Sequence, residues 1–193
     1  MSRRPELASC AGDLAAAADA LTLCFRRGCK LLICGNGGSA ADCDHISAEL
    51  LKGFRSRRQL ESPGKLSKFH GHIQGALPAI PLPNFTALLT AFANDCSHDY
   101  DFAQLVHALG KSGDLLLAIS TSGNSDNVLN ACELAREMGL TVLGLGGRDG
   151  GKMFQLCDIC VRVPAQETYL VQELHLPVYH ALCAMVEADI FGE

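Results

Sequence analysis

No apolar run in the chain approaches the ~20 residues of a membrane span, which argues against a membrane protein. The N-terminus, Met1-Ser2-Arg3-Arg4-Pro5, is not followed by the apolar core and cleavage site of a signal peptide, so a cytoplasmic location is expected. Positive charge is scarce. With 16 Lys and Arg against 21 Asp and Glu the net charge is −5, which opposes a nucleic-acid-binding surface, and Arg55, Arg57 and Arg58 are too few to overturn it. A second cysteine pair is also missing. Cys157-Asp-Ile-Cys160 has the spacing of half a metal site, but nothing completes four ligands, and on a strand its two thiols would face opposite sides. Most of the ten cysteines fall in apolar helical or strand patterns, where free Cys acts as a small hydrophobe.

What is present is an ordinary globular composition, 48% hydrophobic and 19% charged over 193 residues. That length suits one domain, residues 1–193, able to bury roughly 70% of the surface its unfolded form exposes. Pro5 to Arg27 carries Leu7, Ala11, Leu14, Ala18, Leu21 and Phe25 at helical spacing, a leading helix (1–28) suited to an oligomer interface. Lys30–Cys34 reads as a strand and Ala40–Phe54 as a helix. Arg55–Gly75, with His70 and His72 as a solvated pair, reads as a loop with one helical turn at most. Leu77–Leu82 is a short edge strand despite Pro78 and Pro81, and Asn84 caps a helix that ends at Asn94-Asp95. A helix at Tyr100–Leu109, a strand at Asp114–Ile119, and a helix from Asp126 to Met138 capped by Ser125 and closed by Gly139 come next. Strands at Leu140–Leu145 and Asp158–Val163 and a long helix at Thr168–Phe191 complete the chain. Strands alternating with helices predict an α/β fold, a doubly wound five-stranded parallel sheet.

The stretch that organises this pattern is Leu31–Glu49. A buried strand runs into Gly35-Asn36-Gly37-Gly38-Ser39 and then a helix, so free N–H groups and the helix dipole favour an anion at the turn. His45 and Glu49, four apart, share one helix face. Alone, the stretch is read equally well as a tight turn and a solvated helical pair. Ser120-Thr121-Ser122-Gly123-Asn124-Ser125 repeats the arrangement after the third strand, and in such sheets ligands sit beyond the carboxyl ends of the strands. Neither loop is a nucleotide motif, since there is no G-x-G-x-x-G and no Gly-Lys-Ser/Thr. A hydroxyl- and amide-lined cradle suits the phosphate of a polar sugar instead.

These residues resemble the SIS (sugar isomerase) domains, and within them the sedoheptulose 7-phosphate (phosphoheptose) isomerases. The resemblance rests on Gly35-Asn-Gly-Gly-Ser39, His45-x-x-x-Glu49, Asn94-Asp95, Ser120-Thr-Ser-Gly-Asn-Ser125, Gly150-Gly-Lys152 and Gln172-Glu-x-His-x-x-x-x-His180. It implies a flavodoxin-like sheet, a homotetramer with sites at subunit interfaces, and aldose–ketose isomerisation of a heptose 7-phosphate. Carried over residue by residue, Asn36, Gly37, Gly38, Ser39, Asn94, Asp95, Ser120, Thr121, Ser122 and Ser125 would bind substrate. His45, Glu49, Gln172 and His180 would bind one zinc ion, with Glu49 and Gln172 also touching the sugar.

The chain departs from the family in carrying Leu50-Leu51-Lys52-Gly53 where many members have Leu-Thr-Gly-Arg, so an arginine is missing, with Lys52 and Arg55 nearby. It also has Tyr169-Leu170-Val171 before Gln172, and a longer Arg55–Gly75 loop. These changes bear on the identity of the sugar more than on the reaction. Glu49 is the expected base, and His180 can supply the proton relay or hold the metal. Gln172 and His180, eight apart, lie about 80° apart round a helix and can face one cavity, whereas His175 is expected to be a partly buried bystander. Pro177 between them predicts a kink. The competing expectation is a non-enzymatic phosphosugar-sensing or replication-regulating protein of the same fold.

Overall fold

The computed structural model describes residues 4–60 and 64–192. A 3-10 stretch, Pro5–Cys10, leads into α1 (Ala11–Arg26). Then follow β1 (Leu31–Gly35), α2 (Gly38–Leu51), β2 (Ala79–Pro81), α3 (Thr86–Asp95), α4 (Asp101–Leu109) and β3 (Leu115–Ser120). The chain closes with α5 (Asp126–Glu137), β4 (Thr141–Gly146), α6 (Met153–Leu156), β5 (Ile159–Arg162) and α7 (Thr168–Phe191). All pairings are parallel and the strand order is β2-β1-β3-β4-β5. That is the doubly wound order in which winding reverses between β1 and β3, and the two glycine-containing loops leave the sheet at that reversal.

The strands read as continuous apolar runs because both faces are covered. Leu31, Ile33, Leu115, Leu117, Ile119, Leu143 and Leu145 pack with α1, α2 and α7, while Leu32, Cys34, Leu116, Ala118 and Val142 pack with α4 and α5. By length and composition Pro5–Arg26 would suffice to cross a membrane, contrary to the reading of the sequence. Its stripe of Leu7, Leu14, Ala18, Leu21 and Phe25 is instead buried in the core, with α1 against α7 and β5.

Several local expectations need correction. The Asn84 side chain does not cap α3; it ends a 3-10 turn and donates to Asp44 Oδ1 at 2.8 Å. Ser125 stands at the N-cap of α5 without a capping hydrogen bond from its side chain. The helix after β1 starts two residues earlier and ends three earlier than the pattern suggested, and α6 carried too few residues to show any period. Cys157 lies before β5, not in it, so its thiol and that of Cys160 both reach the space over Gly144, where a Cβ would stand 2.6 and 2.8 Å from them. His175 is wholly buried, not partly, and burial pushes its pKa down to about 4. Among its described residues the Arg55–Gly75 loop holds one 3-10 stretch, Gly64–Phe69, and both His70 and His72 are exposed, as expected. α7 runs through Pro177 as one helix.

Candidate functional site

Two features stand at the carboxyl end of the sheet and beside it. The first is the loop pair. Gly37, at φ +56°, takes a conformation that glycine adopts freely and opens α2. The Asn36 and Asn127 amides bond each other reciprocally at 2.8 and 3.1 Å, tying the first loop to the first turn of α5, and Asn127 also donates to buried Asp101 at 3.2 Å. Ser39 is buried in the first turn of α2. In the second loop, Ser120 Oγ accepts the Gly123 N–H at 3.1 Å and lies 3.3 Å from Ser125 Oγ. Thr121 and Ser122 line a cavity of about 250 Å³ together with Asn124, Gly147, Arg148 and Gln166. Its far wall, Gly147–Gly151, is stitched to the loop: Gly123 O accepts the Met153 N–H, and Asn124 Oδ1 accepts that of Lys152. The cavity thus opens on hydroxyls, amides and one guanidinium beside the N-terminus of α5, the donors an anion needs, and on the Asp149 carboxylate, whose Oδ2 accepts from the Gln166 amide at 2.6 Å.

The second feature lies where α2 packs along α7. Among the described residues no three His, Cys, Asp or Glu side chains form a closed metal-ligand cluster. Instead there is an open arrangement with His45 at its hub: Glu49 Oε1 is 3.3 Å and His180 Nε2 3.5 Å from His45 Nε2. Ligands about 2.0–2.1 Å from a tetrahedral ion stand about 3.3–3.4 Å from one another, so both separations fit the edges of a zinc site. Lys52, on the next turn, donates to Glu49 Oε2 at 2.8 Å. Burial opposes the Glu49 charge, but the Lys52 ammonium, by hydrogen bond and charge, leads what outweighs it and holds the carboxyl below its usual range. His180 is lowered by burial and by His45. Of the two cations nearest the missing arginine, Lys52 therefore meets the carboxylate, and Arg55 uses only its backbone N–H, donated to Glu187.

Gln172 is not in this group. Its amide lies on Gly38, where a Cβ would be 2.4 Å from Nε2, and Gly38 is two turns, about 10 Å along the axis, before His45. The 80° estimate counted rotation round α7 and left out the rise between Gln172 and His180, about 12 Å. Asn94 and Asp95 are exposed at the end of α3 and bond each other at 2.8 Å. The sequence reading missed Tyr179, whose hydroxyl is 2.9 Å from His45 Nδ1, and Asp42, one turn before His45. It also missed Arg58 and Glu187, which anchor the end of α2. The only signals were neighbourhood to His180 for Tyr179 and a shared helix face for Asp42.

The SIS domain pattern matches residues 6–147 of the chain. A phosphoheptose isomerase of Rhodospirillum rubrum is 44% identical over 181 residues, spanning 94% of this chain and 88% of that protein. The structure of a phosphoheptose isomerase from Neisseria gonorrhoeae superposes with a TM-score of 0.78 at 36% identity, covering 92% of this chain and 86% of that one. One from Francisella tularensis gives 0.79 at 34%, covering 91% and 85%. With a family match over more than half its length and relatives this similar, the chain belongs to the SIS domain family.

Proposed function

We propose that this protein is a phosphoheptose isomerase that interconverts sedoheptulose 7-phosphate and a glycero-manno-heptose 7-phosphate. The observation that carries the reading is the Glu49 carboxylate, held ionised by Lys52 and set beside two histidines, in a chain whose relatives are named for this reaction. The same relatives disfavour the non-enzymatic alternative.

The phosphate sits in the Ser120–Ser125 loop over the start of α5, with Thr121 and Ser122 donating, and the sugar hydroxyls meet Asn36, Asn94, Asp95 and Gln172. Glu49 removes a proton from C1 of the ketose, leaving an enediol, and returns it to C2. Where it does not hold the metal, His180 carries the matching proton between O1 and O2, so that the carbonyl moves from C2 to C1. The donor set fits a zinc ion held by His45, Glu49 and His180, three ligands with an open position. Gln172 joins it only if its amide leaves Gly38. When bound, the ion polarises the sugar oxygens as a Lewis acid. Incubation with sedoheptulose 7-phosphate, with zinc and with a chelator, is expected to yield an aldose phosphate by NMR; no product under either condition overturns the assignment.

Gly123 sits at φ +64°, and a Cβ there would stand 2.0 Å from Gly150 O. Gly123→Ala is therefore expected to destabilise the fold by about 1–3 kcal/mol or more and to push the phosphate loop off its far wall. Steady-state kinetics should show KM rising more than kcat falls; an unchanged KM would place the phosphate elsewhere.

We also propose a homotetramer. α3 carries Leu88, Leu89 and Phe92 yet has no buried residue, and Leu51, Tyr169, Leu176 and Met185 are exposed. Light scattering should give four times the 20.5 kDa chain mass, and a monomer at micromolar concentration defeats this. Buried thiols such as Cys34, Cys43, Cys132 and Cys183 suit a reducing cytoplasm.

A further inference from the structure

His45 has two ring nitrogens, and only one can offer a lone pair to a cation while the ring is neutral. Which one is set by the partner of the other nitrogen. Here that partner is Tyr179, whose hydroxyl lies 2.9 Å from Nδ1. A hydroxyl can donate or accept, so the contact alone permits both tautomers. If Tyr179 donates to Nδ1, the ring proton moves to Nε2, faces Glu49 Oε1 and closes the ring to a metal. If Tyr179 accepts from Nδ1–H, Nε2 is left with its lone pair among Glu49 and His180.

Asp42 decides between these. It stands three residues before His45 on the same face of α2, its Oδ2 is buried with no hydrogen-bond partner, and the Tyr179 hydroxyl is the neighbouring donor that can supply one. A carboxylate accepts only, and a buried acceptor without a donor is costly, so the one hydroxyl hydrogen of Tyr179 belongs to Asp42. The phenol oxygen must then accept from the imidazole. Rotation of the phenol is blocked as well, because Tyr179 is only 2% exposed and its ring meets those of His45 and His180 edge-on, with centroids 5.4 and 5.1 Å away. The two Nε2 atoms 3.5 Å apart agree with this order, since His180 can donate into the free His45 lone pair when no cation is present.

We propose that Tyr179, oriented by Asp42, is a positioning residue that holds the His45 proton on Nδ1 and keeps Nε2 free for the metal. The inference rests on the zinc reading above, and the two can fail separately. The first measurement needs no variant: ¹⁵N shifts of the metal-free parent at pH 8 should show His45 as the Nδ1–H tautomer, and an Nε2–H tautomer overturns the proposal. The second is zinc affinity by chelator competition. Tyr179→Phe and Asp42→Asn should each weaken zinc binding about 10–100-fold, with kcat falling in step and KM for the sugar phosphate unmoved. Asp42→Asn leaves only a neutral, weaker acceptor oxygen and sets an N–H2 donor beside the phenol, so the hydroxyl hydrogen is released towards Nδ1 and the His45 proton should move to Nε2. Parent-like zinc affinity in Tyr179→Phe sinks the Tyr179 role while leaving the zinc site intact. A parent that binds no zinc yet shows Nδ1–H sinks the zinc reading and leaves the tautomer assignment standing. Should Tyr179→Phe fail to fold, the parent spectrum and Asp42→Asn decide.

Discussion

Glu49→Gln keeps the fold and lowers kcat by about 10²–10⁴-fold, the range that a positioned general base contributes. Glutamine has the shape of glutamate and still accepts the Lys52 hydrogen bond, so α2 and its packing on α7 are expected to persist. What the amide lacks is the capacity to take a carbon-bound proton. Because Glu49 is also a proposed metal ligand, zinc content must be measured beside turnover. A variant that retains its zinc and loses kcat isolates the proton transfer, whereas one that keeps most of its turnover assigns the base elsewhere, with Asp95 the next carboxylate to test. Circular dichroism and an unchanged melting temperature check that the fold is intact.

The fold was legible because period and turn chemistry agree along most of the chain. Leu31–Gly35 and Leu115–Ser120 are short unbroken apolar runs closed by glycine or serine, the length and punctuation of a strand buried on both faces, and the helices between them carry a core-facing stripe. Strand edges moved by one residue, and by two at the start of β2, since the apolar run does not mark where ladder pairing begins. The site was legible where it is local. His45 and Glu49 share a helix, and Ser120–Ser125 is one loop, so spacing alone places them. Contacts between distant elements left no local trace. Nothing near Tyr179 says that its hydroxyl meets a ring 134 positions away, and nothing near Gln172 says that its amide rests on Gly38. The Ser125 side chain, expected as a cap, turns instead to Ser120, because the second loop folds on itself tightly enough to bring the two hydroxyls together.

The largest stability effect is expected away from the catalytic atoms, at Arg58. Its guanidinium is wholly buried, donating to Glu187 Oε1 at 2.7 Å and to the carbonyls of Leu50 at 2.6 Å and Glu49 at 3.0 Å. Those carbonyls belong to the last turn of α2, which has no further helix to bond them, so Arg58, with the Leu77 N–H that also meets Leu50 O at 3.0 Å, satisfies the end of the helix that carries Glu49. Glu187 in turn accepts the backbone N–H groups of Phe54, Arg55 and Ser56 at 2.8, 2.7 and 3.3 Å. Arg58 sits at φ +39°, a conformation costly for a side-chain-bearing residue, and this network holds it there. Arg58→Met fills similar space but leaves Glu187 buried without its cation, and should cost about 3–5 kcal/mol in urea unfolding. The pH dependence fixes the cause. Burial opposes the Glu187 charge, yet its backbone donors and Arg58 outweigh that and lower its pKa below the ordinary carboxylate value. A lowered folded pKa gives stability that is present above the unfolded pKa, about 4.3, and is lost as pH falls through the folded value. Without Arg58 the folded pKa rises, this contribution shrinks, and the stability gap between parent and variant should narrow on going from pH 7 to pH 3. A gap that stays constant over that range would attribute the loss to packing and to the freed α2 carbonyls, with no part for the ion pair.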